Sequence, residues 1–295
     1  MKTRFARFLA AGGIALASLC YETRSVAQVA PEAAASQSIT VNGQSAPVVR
    51  NYVKKIAKPV QGRQISRWNE PICIGIDGIS EKYASFINDR VSVLARSIKL
   101  PVRRPGCHVN LYITLTDQAD ALAKALVEAR PKIVGNVNHN GLLQPSIVTA
   151  LEAPRTVRWM TASETVSGAG VPFGATNMVY SDSLISPGTR EDVLSKTIII
   201  DETKLSDVTL LQLADYIAYV SVTTPDLSTD FSGLDSIMAL FASNPDEPRP
   251  TSLTDADRRF LKALYKTIPD RTAYMEQSAI AKQILKGERS DRTDQ

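Results

Sequence analysis

Imidazole is scarce in this 295-residue chain. His108 and His139 are its two histidines, and none follows residue 139. Zinc hydrolysis and Ser/His catalysis both rely on that ring as ligand or base, so few groups remain that could run either. His139 lies in the polar turn Asn136-Val137-Asn138-His139-Asn140-Gly141 and reads as a surface side chain. His108 follows Cys107 at the start of a strand and reads as structural. No G-x-S-x-G elbow sharpens any serine into a nucleophile. The run Gly168-Ala169-Gly170-Val171-Pro172-Phe173-Gly174 departs from G-x-G-x-x-G and lacks the strand-to-helix setting, so it reads as a flexible loop. What remains is the helix Leu210–Val222, where Leu211-Gln212-Leu213-Ala214-Asp215 offers one amide and one carboxylate. Asp215 is either a solvated or capped carboxylate or a group that binds a partner.

These groups need a scaffold, and its periodicities are legible. A short helix is expected at Pro47–Ala57, with Val49, Tyr52, Val53 and Ile56 on one face. Ile72, Ile74 and Ile76 alternate as in a half-buried strand. Ser80 then caps a helix carrying Tyr83, Ile87, Val91, Leu94 and Ile98. Val109, Leu111, Ile113 and Leu115 predict a second strand, and Ala121, Leu122, Ala125, Leu126 and Ala129 a following helix that Pro131 ends. Thr156–Met160 reads as a third strand. Residues 163–190 are dominated by small and polar types and read as a long loop, of a length that is often functional. Thr197–Ile200 is a continuous apolar strand of the mid-sheet kind. Ser206 or Asp207 is expected to cap the central helix. Thr254-x-x-Asp257 forms a capping box before Phe260, Leu261, Leu264 and Tyr265, and a last helix spans Thr272–Leu285.

The order of sheet, capped helix, Ser236-Ile237-Met238, Leu253-Thr254-x-x-Asp257 and Leu264-Tyr265 resembles the matrixin branch of the metzincin zinc peptidases over residues 206–266. Nearly the whole chain after residue 27 is also similar to a group of secreted proteins of Gram-negative bacteria, a likeness that brings no activity with it. It rests on the N-terminal signal, the Arg67-Trp68 pair, the two cysteines and the Leu-Thr…Leu-Tyr ending. The metzincin resemblance implies a zincin-like α+β single domain, with a mixed sheet packed against helices and a methionine turn at Met238. It puts the first zinc histidine on Leu211, the general-base glutamate on Gln212, the second histidine on Asp215 and the third ligand on Ser221. Leucine has no lone pair to give a metal, and a glutamine amide takes no proton from water. No catalytic residue, metal or other cofactor is therefore expected. Leu211, Gln212, Asp215, Ser221 and Met238 stand only as weak binding candidates.

The first 27 residues place the chain. Lys2, Arg4 and Arg7 precede the apolar run Phe8 to Cys20, and Ser25-Val26-Ala27 offers the small residues of a cleavage site near Ala27. About 13 apolar residues are too few for a membrane span, which takes roughly 20. A Sec-type signal peptide over residues 1–27 is expected, and with it a periplasmic or secreted protein. Residues 28–45 read as a flexible leader, 46–286 as the domain and 287–295 as a frayed charged tail. The signal holds four basic residues and one acid, so the formal +4 of the chain falls to +1 without it. That charge supports no nucleic-acid face, and no later run is apolar and long enough to cross a membrane. Cys73 and Cys107 remain after cleavage, and in an oxidising compartment an even pair is most simply a disulfide, with two free thiols as the alternative. Such a bridge would make the strands on either side of it parallel. The leading functional expectation is a non-catalytic exported protein on a pseudo-metallopeptidase scaffold, binding a peptide or protein partner in the cell envelope. The alternatives are a hydrolase with a rebuilt, non-zinc site in the same cleft and a structural envelope protein.

Overall fold

The computed structural model describes residues 44–59, 63–129, 145–171, 188–242 and 248–293. The chain divides into units of residues 1–42 and 43–295. The signal peptide, His139 and residues 172–187 of the long loop lie outside the described residues, as does all but the end of the leader.

Four strands form the sheet: β1 (Ile74–Asp77), β2 (Leu111–Thr116), β3 (Val157–Ser167) and β4 (Thr189–Asp201), in the order β1-β2-β4-β3. β1, β2 and β4 run parallel, while β3 lies antiparallel on β4. The disulfide is formed, with Cys73 and Cys107 6.0 Å apart at Cα. It joins the entries of β1 and β2, whose parallel pairing starts at Ile74↔Leu111. The Asn110 side chain closes the same corner by accepting from Cys73 N at 2.7 Å and donating to Pro71 O. Gly78 ends β1 at φ +75°, where a Cβ would stand 1.8 Å from the Leu115 carbonyl.

Seven helices occur among the described residues: α1 (Ala46–Ile56), α2 (Glu81–Ser97), α3 (Ala119–Ala129), α4 (Pro145–Glu152), α5 (Leu210–Val222), α6 (Asp255–Lys266) and α7 (Ala273–Thr293). The architecture is α+β. α2 and α5 pack side by side. Side chains on a strand alternate between faces, and this sorts the layers. Trp159 meets Tyr216 of α5, while the adjacent Arg158 turns to the opposite face and binds Leu151 O, Ala153 O and Asp120 of α3 and α4. α1 packs against α7, and α7 also contacts α6. Arg67 sits buried in this region, donating to Leu264 O and Thr267 O and pairing with Glu276 of α7 at 2.8 Å. No described helix is long and apolar enough to cross a membrane.

Three elements differ from expectation in their bounds. β3 and β4 extend well into residues 163–190, because Ser163–Ser167 and Thr189–Val193 pair with each other past a register shift at Ala162/Ser163. Their polar composition masked a ladder that needs only backbone groups. α5 is capped by Thr209, not by Ser206 or Asp207. Thr209 accepts from Gln212 N while Gln212 Oε1 accepts from Thr209 N, and this T-x-x-Q box sets the start of the helix. Ser80 does stand at the N-cap of α2, without a side-chain cap bond.

Candidate functional site

The last carbonyls of a helix have no partner within it, and in α5 they are met by side chains from three other segments. Lys196 of β4 donates to Val220 O at 2.7 Å and to Thr223 O, Trp68 Nε1 to Ser221 O at 2.8 Å, and Tyr265 of α6 to Val222 O at 2.9 Å. Lys196 is buried without a carboxylate partner, and desolvation lowers its pKa to about 7. Below pH 7 folded and unfolded chains both carry the charge. Between pH 7 and about 10.5 the unfolded lysine still holds a proton that the folded one has lost, so stability rises with pH across that window. Urea midpoints measured from pH 6 to 10 are expected to climb for the wild type and to lose this climb in Lys196→Met.

The N-terminal half of α5 holds the positions the zincin register points to. Leu211 is 41% exposed. Gln212 is spent on the cap and on donating to Pro250 O at 2.9 Å. Asp215 is fully buried: Arg90 Nε of α2 donates to its Oδ1 at 2.7 Å, and Leu253 N donates to its Oδ2 at 3.0 Å. It is therefore an ion-paired tie between α2 and the entry to α6. Ser221 is buried and donates back to Ile217 O. Met238 is buried in the short 3-10 turn Ile237–Phe241. The structure does not gather these five side chains into one cluster, and among the described residues no three His, Cys, Asp or Glu converge. His108 is exposed.

Asp257 holds the 3-10 turn Ile237–Phe241 in place. Its carboxylate accepts from Tyr52 and Ser236 hydroxyls at 2.5 and 2.6 Å, from Ile237 N at 2.8 Å and from Thr254 N at 3.0 Å. Tyr52 also meets the Tyr219 hydroxyl at 2.7 Å. One carboxylate thus joins α1, the 3-10 turn and the start of α6, and reaches α5 through Tyr52. Burial pushes it above the usual carboxylate range, against the donors that favour its charged form.

Met238 and Tyr216 line the same cavity. Tyr216 is 3% exposed, stacks edge-on against Phe241 at 4.9 Å and meets Trp159 at 6.4 Å. Around these lies this cavity, of about 370 Å³, with Arg155 and Thr229 in its wall. A second cavity of about 340 Å³ continues past Trp159, Met160, Thr161 and Ser163. The two share Trp159, Leu227 and Ser228, so they form one groove along β3. Its far wall is Pro225–Asp230. That wall is pinned by two like turns, in which Asp226 accepts from Ser228 N and Oγ, and Asp230 from Ser232 N and Oγ. Both carboxyls are held below their ordinary range; partial burial opposes this strongly at Asp226, where Lys58 adds an ion pair, while Ser232 dominates at Asp230.

The direction of the β3 backbone follows from two bonds. Asp201 N donates to Thr156 O, and Lys196 N turns the other way, to Asn110 O of the segment entering β2. Val157↔Ile200 and Thr161↔Lys196 are therefore non-hydrogen-bonded pairs. At Val157, Trp159 and Thr161 the N–H and C=O point away from β4, toward the groove side. No other described strand pairs with that edge. Periodicity placed Trp159 in a strand, but the groove also needs Tyr216 and Arg155, which carried no local motif. No family model, no curated protein and no solved structure matches the chain.

Proposed function

We propose that the groove along β3 receives an extended peptide or protein segment by strand addition. The single observation that carries this reading is the outward set of backbone groups at Trp159 and Thr161, lying beside a groove with a pre-organised opposite wall. An edge strand of 11 residues is a surface that proteins normally protect from pairing with other chains, and strand addition uses such an edge with main-chain bonds for affinity and pockets for specificity. We further read the scaffold as a zincin without its chemistry, exported to the envelope. Its mixed sheet with an antiparallel edge, the capped α5, the methionine turn and the capping box opening α6 support the resemblance. The donor set does not support hydrolysis, since Leu211, Gln212 and Asp215 supply neither three ligands nor a base.

A randomised octapeptide pool panned on the immobilised protein tests the binding reading. Thr161→Pro removes only an outward N–H, a place where an edge strand tolerates proline. Enriched peptides are expected to bind this variant at least tenfold more weakly, with thermal stability close to wild type. Unchanged affinity would sink strand addition at this edge, and failure of the pool to enrich would sink peptide binding. Export is tested by the N-terminus of the protein recovered from the producing cell, expected at Gln28.

A further inference from the structure

Three donors around the cavity of about 370 Å³, Arg155 Nε, the Thr229 hydroxyl and the Tyr216 hydroxyl, make no hydrogen bond to a described residue. Arg155 carries five N–H donors, yet its single hydrogen bond among the described residues is Nη1 to Leu227 O at 2.7 Å. Its Nε is buried without a partner, and so is the Thr229 hydroxyl. The Tyr216 hydroxyl, on a side chain that is 3% exposed, makes no hydrogen bond to another described residue. Tyr216 and Arg155 lie close enough to influence each other electrostatically.

The charges around Arg155 are one-sided. Its strongest charged neighbour is a second cation, Arg158, whose own carboxylate partner is Asp120. Asp230 is the carboxylate that lines the same cavity, its Oδ1 accepts both Ser232 donors, and it forms no ion pair with Arg155. No carboxylate among the described residues pairs with Arg155. An unpaired, half-buried guanidinium is unfavourable unless something supplies the missing charge. Donors alone call for an acceptor, and the planar fork of arginine fits a carboxylate in two-point geometry. The remaining walls are aromatic, from Trp159, Tyr216, Phe231 and Phe241.

We propose that this cavity is a carboxylate subsite at one end of the groove, in which Arg155, Tyr216 and Thr229 grip an anionic group of the bound segment and the aromatic walls take a neighbouring apolar side chain. The proposal rests on the peptide-binding reading above and adds to it the chemistry of the ligand. A chain terminus and an acidic side chain both supply that carboxylate.

Three peptides separate the possibilities: acetyl-Ala-Ala-Phe with a free C-terminus, the same peptide as its C-terminal amide, and acetyl-Glu-Ala-Phe amide, whose carboxylate is on a side chain. Binding is read from the fluorescence of Trp159, since Trp68, the other tryptophan, lines neither cavity, and is confirmed by calorimetry. At least one carboxylate peptide is expected to bind tenfold or more tightly than the neutral amide, and which one does so names the source. Arg155→Gln is expected to erase that preference. Tyr216→Phe, which deletes a single oxygen, should reduce it severalfold in a protein that folds as the wild type does. Equal binding of all three peptides, or a preference that survives Arg155→Gln, would overturn the subsite while leaving strand addition standing. Absence of binding by all three would overturn the subsite, and the octapeptide pool would then decide separately whether the groove binds peptides at all.

Discussion

Asp257→Ala is expected to destabilise the domain by about 4 kcal/mol, since a lost acceptor leaves each buried donor to bear a desolvation cost of roughly 1–3 kcal/mol. The donors are the Tyr52 and Ser236 hydroxyls and the backbone N–H groups of Ile237 and Thr254. They come from three segments, so the loss loosens α1, the 3-10 turn at Ile237 and the start of α6 together. Urea unfolding followed by far-UV circular dichroism checks this. Asp257→Asn keeps one acceptor oxygen and is expected to lose about half as much, because its amide nitrogen meets donors where it needs acceptors. Tyr52→Phe removes a single donor and should cost about 1 kcal/mol. A drop of less than roughly 1 kcal/mol for Asp257→Ala would show that the four bonds are not what fixes the 3-10 turn.

The paired change Cys73→Ser with Cys107→Ser is expected to cost about 4 kcal/mol, the entropy of closing a loop of this length in the unfolded chain. The bridge spans 34 positions of sequence and ties the two strand entries that begin the parallel ladder. The same loss is expected on reduction of the wild-type protein, measured as a lower urea midpoint with dithiothreitol than without. A midpoint insensitive to dithiothreitol would mean that the β1–β2 corner is held mainly by Asn110 and its bonds to Cys73 N and Pro71 O.

How much of this was readable from the chain depended on how local the signal was. The Cys73–Cys107 pair correctly implied parallel strands with α2 as the crossover, and the alternating isoleucines gave β1. Thr254-x-x-Asp257 announced a capping box, and the box is there. Nothing local announced that the same carboxylate also holds Tyr52 and Ser236, since those partners lie 205 and 21 positions away. Gln212 illustrates a different limit. Set in the zincin register it stands for a lost glutamate, yet Thr209-x-x-Gln212 is itself a helix-start signature and would have placed the cap correctly. The outer halves of β3 and β4 read as loop because most of their residues are polar, although Val166 and Val193 are buried. A hydrophobic pattern does not register polar joints, and these strands are held there by the backbone ladder and by Glu191 accepting from the Ser163 and Thr165 hydroxyls. Tyr216 and Arg155 were invisible for a related reason. A tyrosine on a mostly apolar helix looks like core, and an arginine before a strand looks like surface.

The Arg67–Glu276 pair sets the order in which the domain can close. Arg67 precedes β1, and its ion pair among the described residues is with Glu276 on α7, a helix against which α1 also packs. As the chain is made from its N-terminus, at about 5–20 residues per second, the sheet and α5 can assemble while Arg67 still lacks its counter-charge. An uncompensated buried cation disfavours that intermediate, so docking of α7 is expected to complete the region around Arg67. Such a chain is expected to reach its full stability only once α7 has docked.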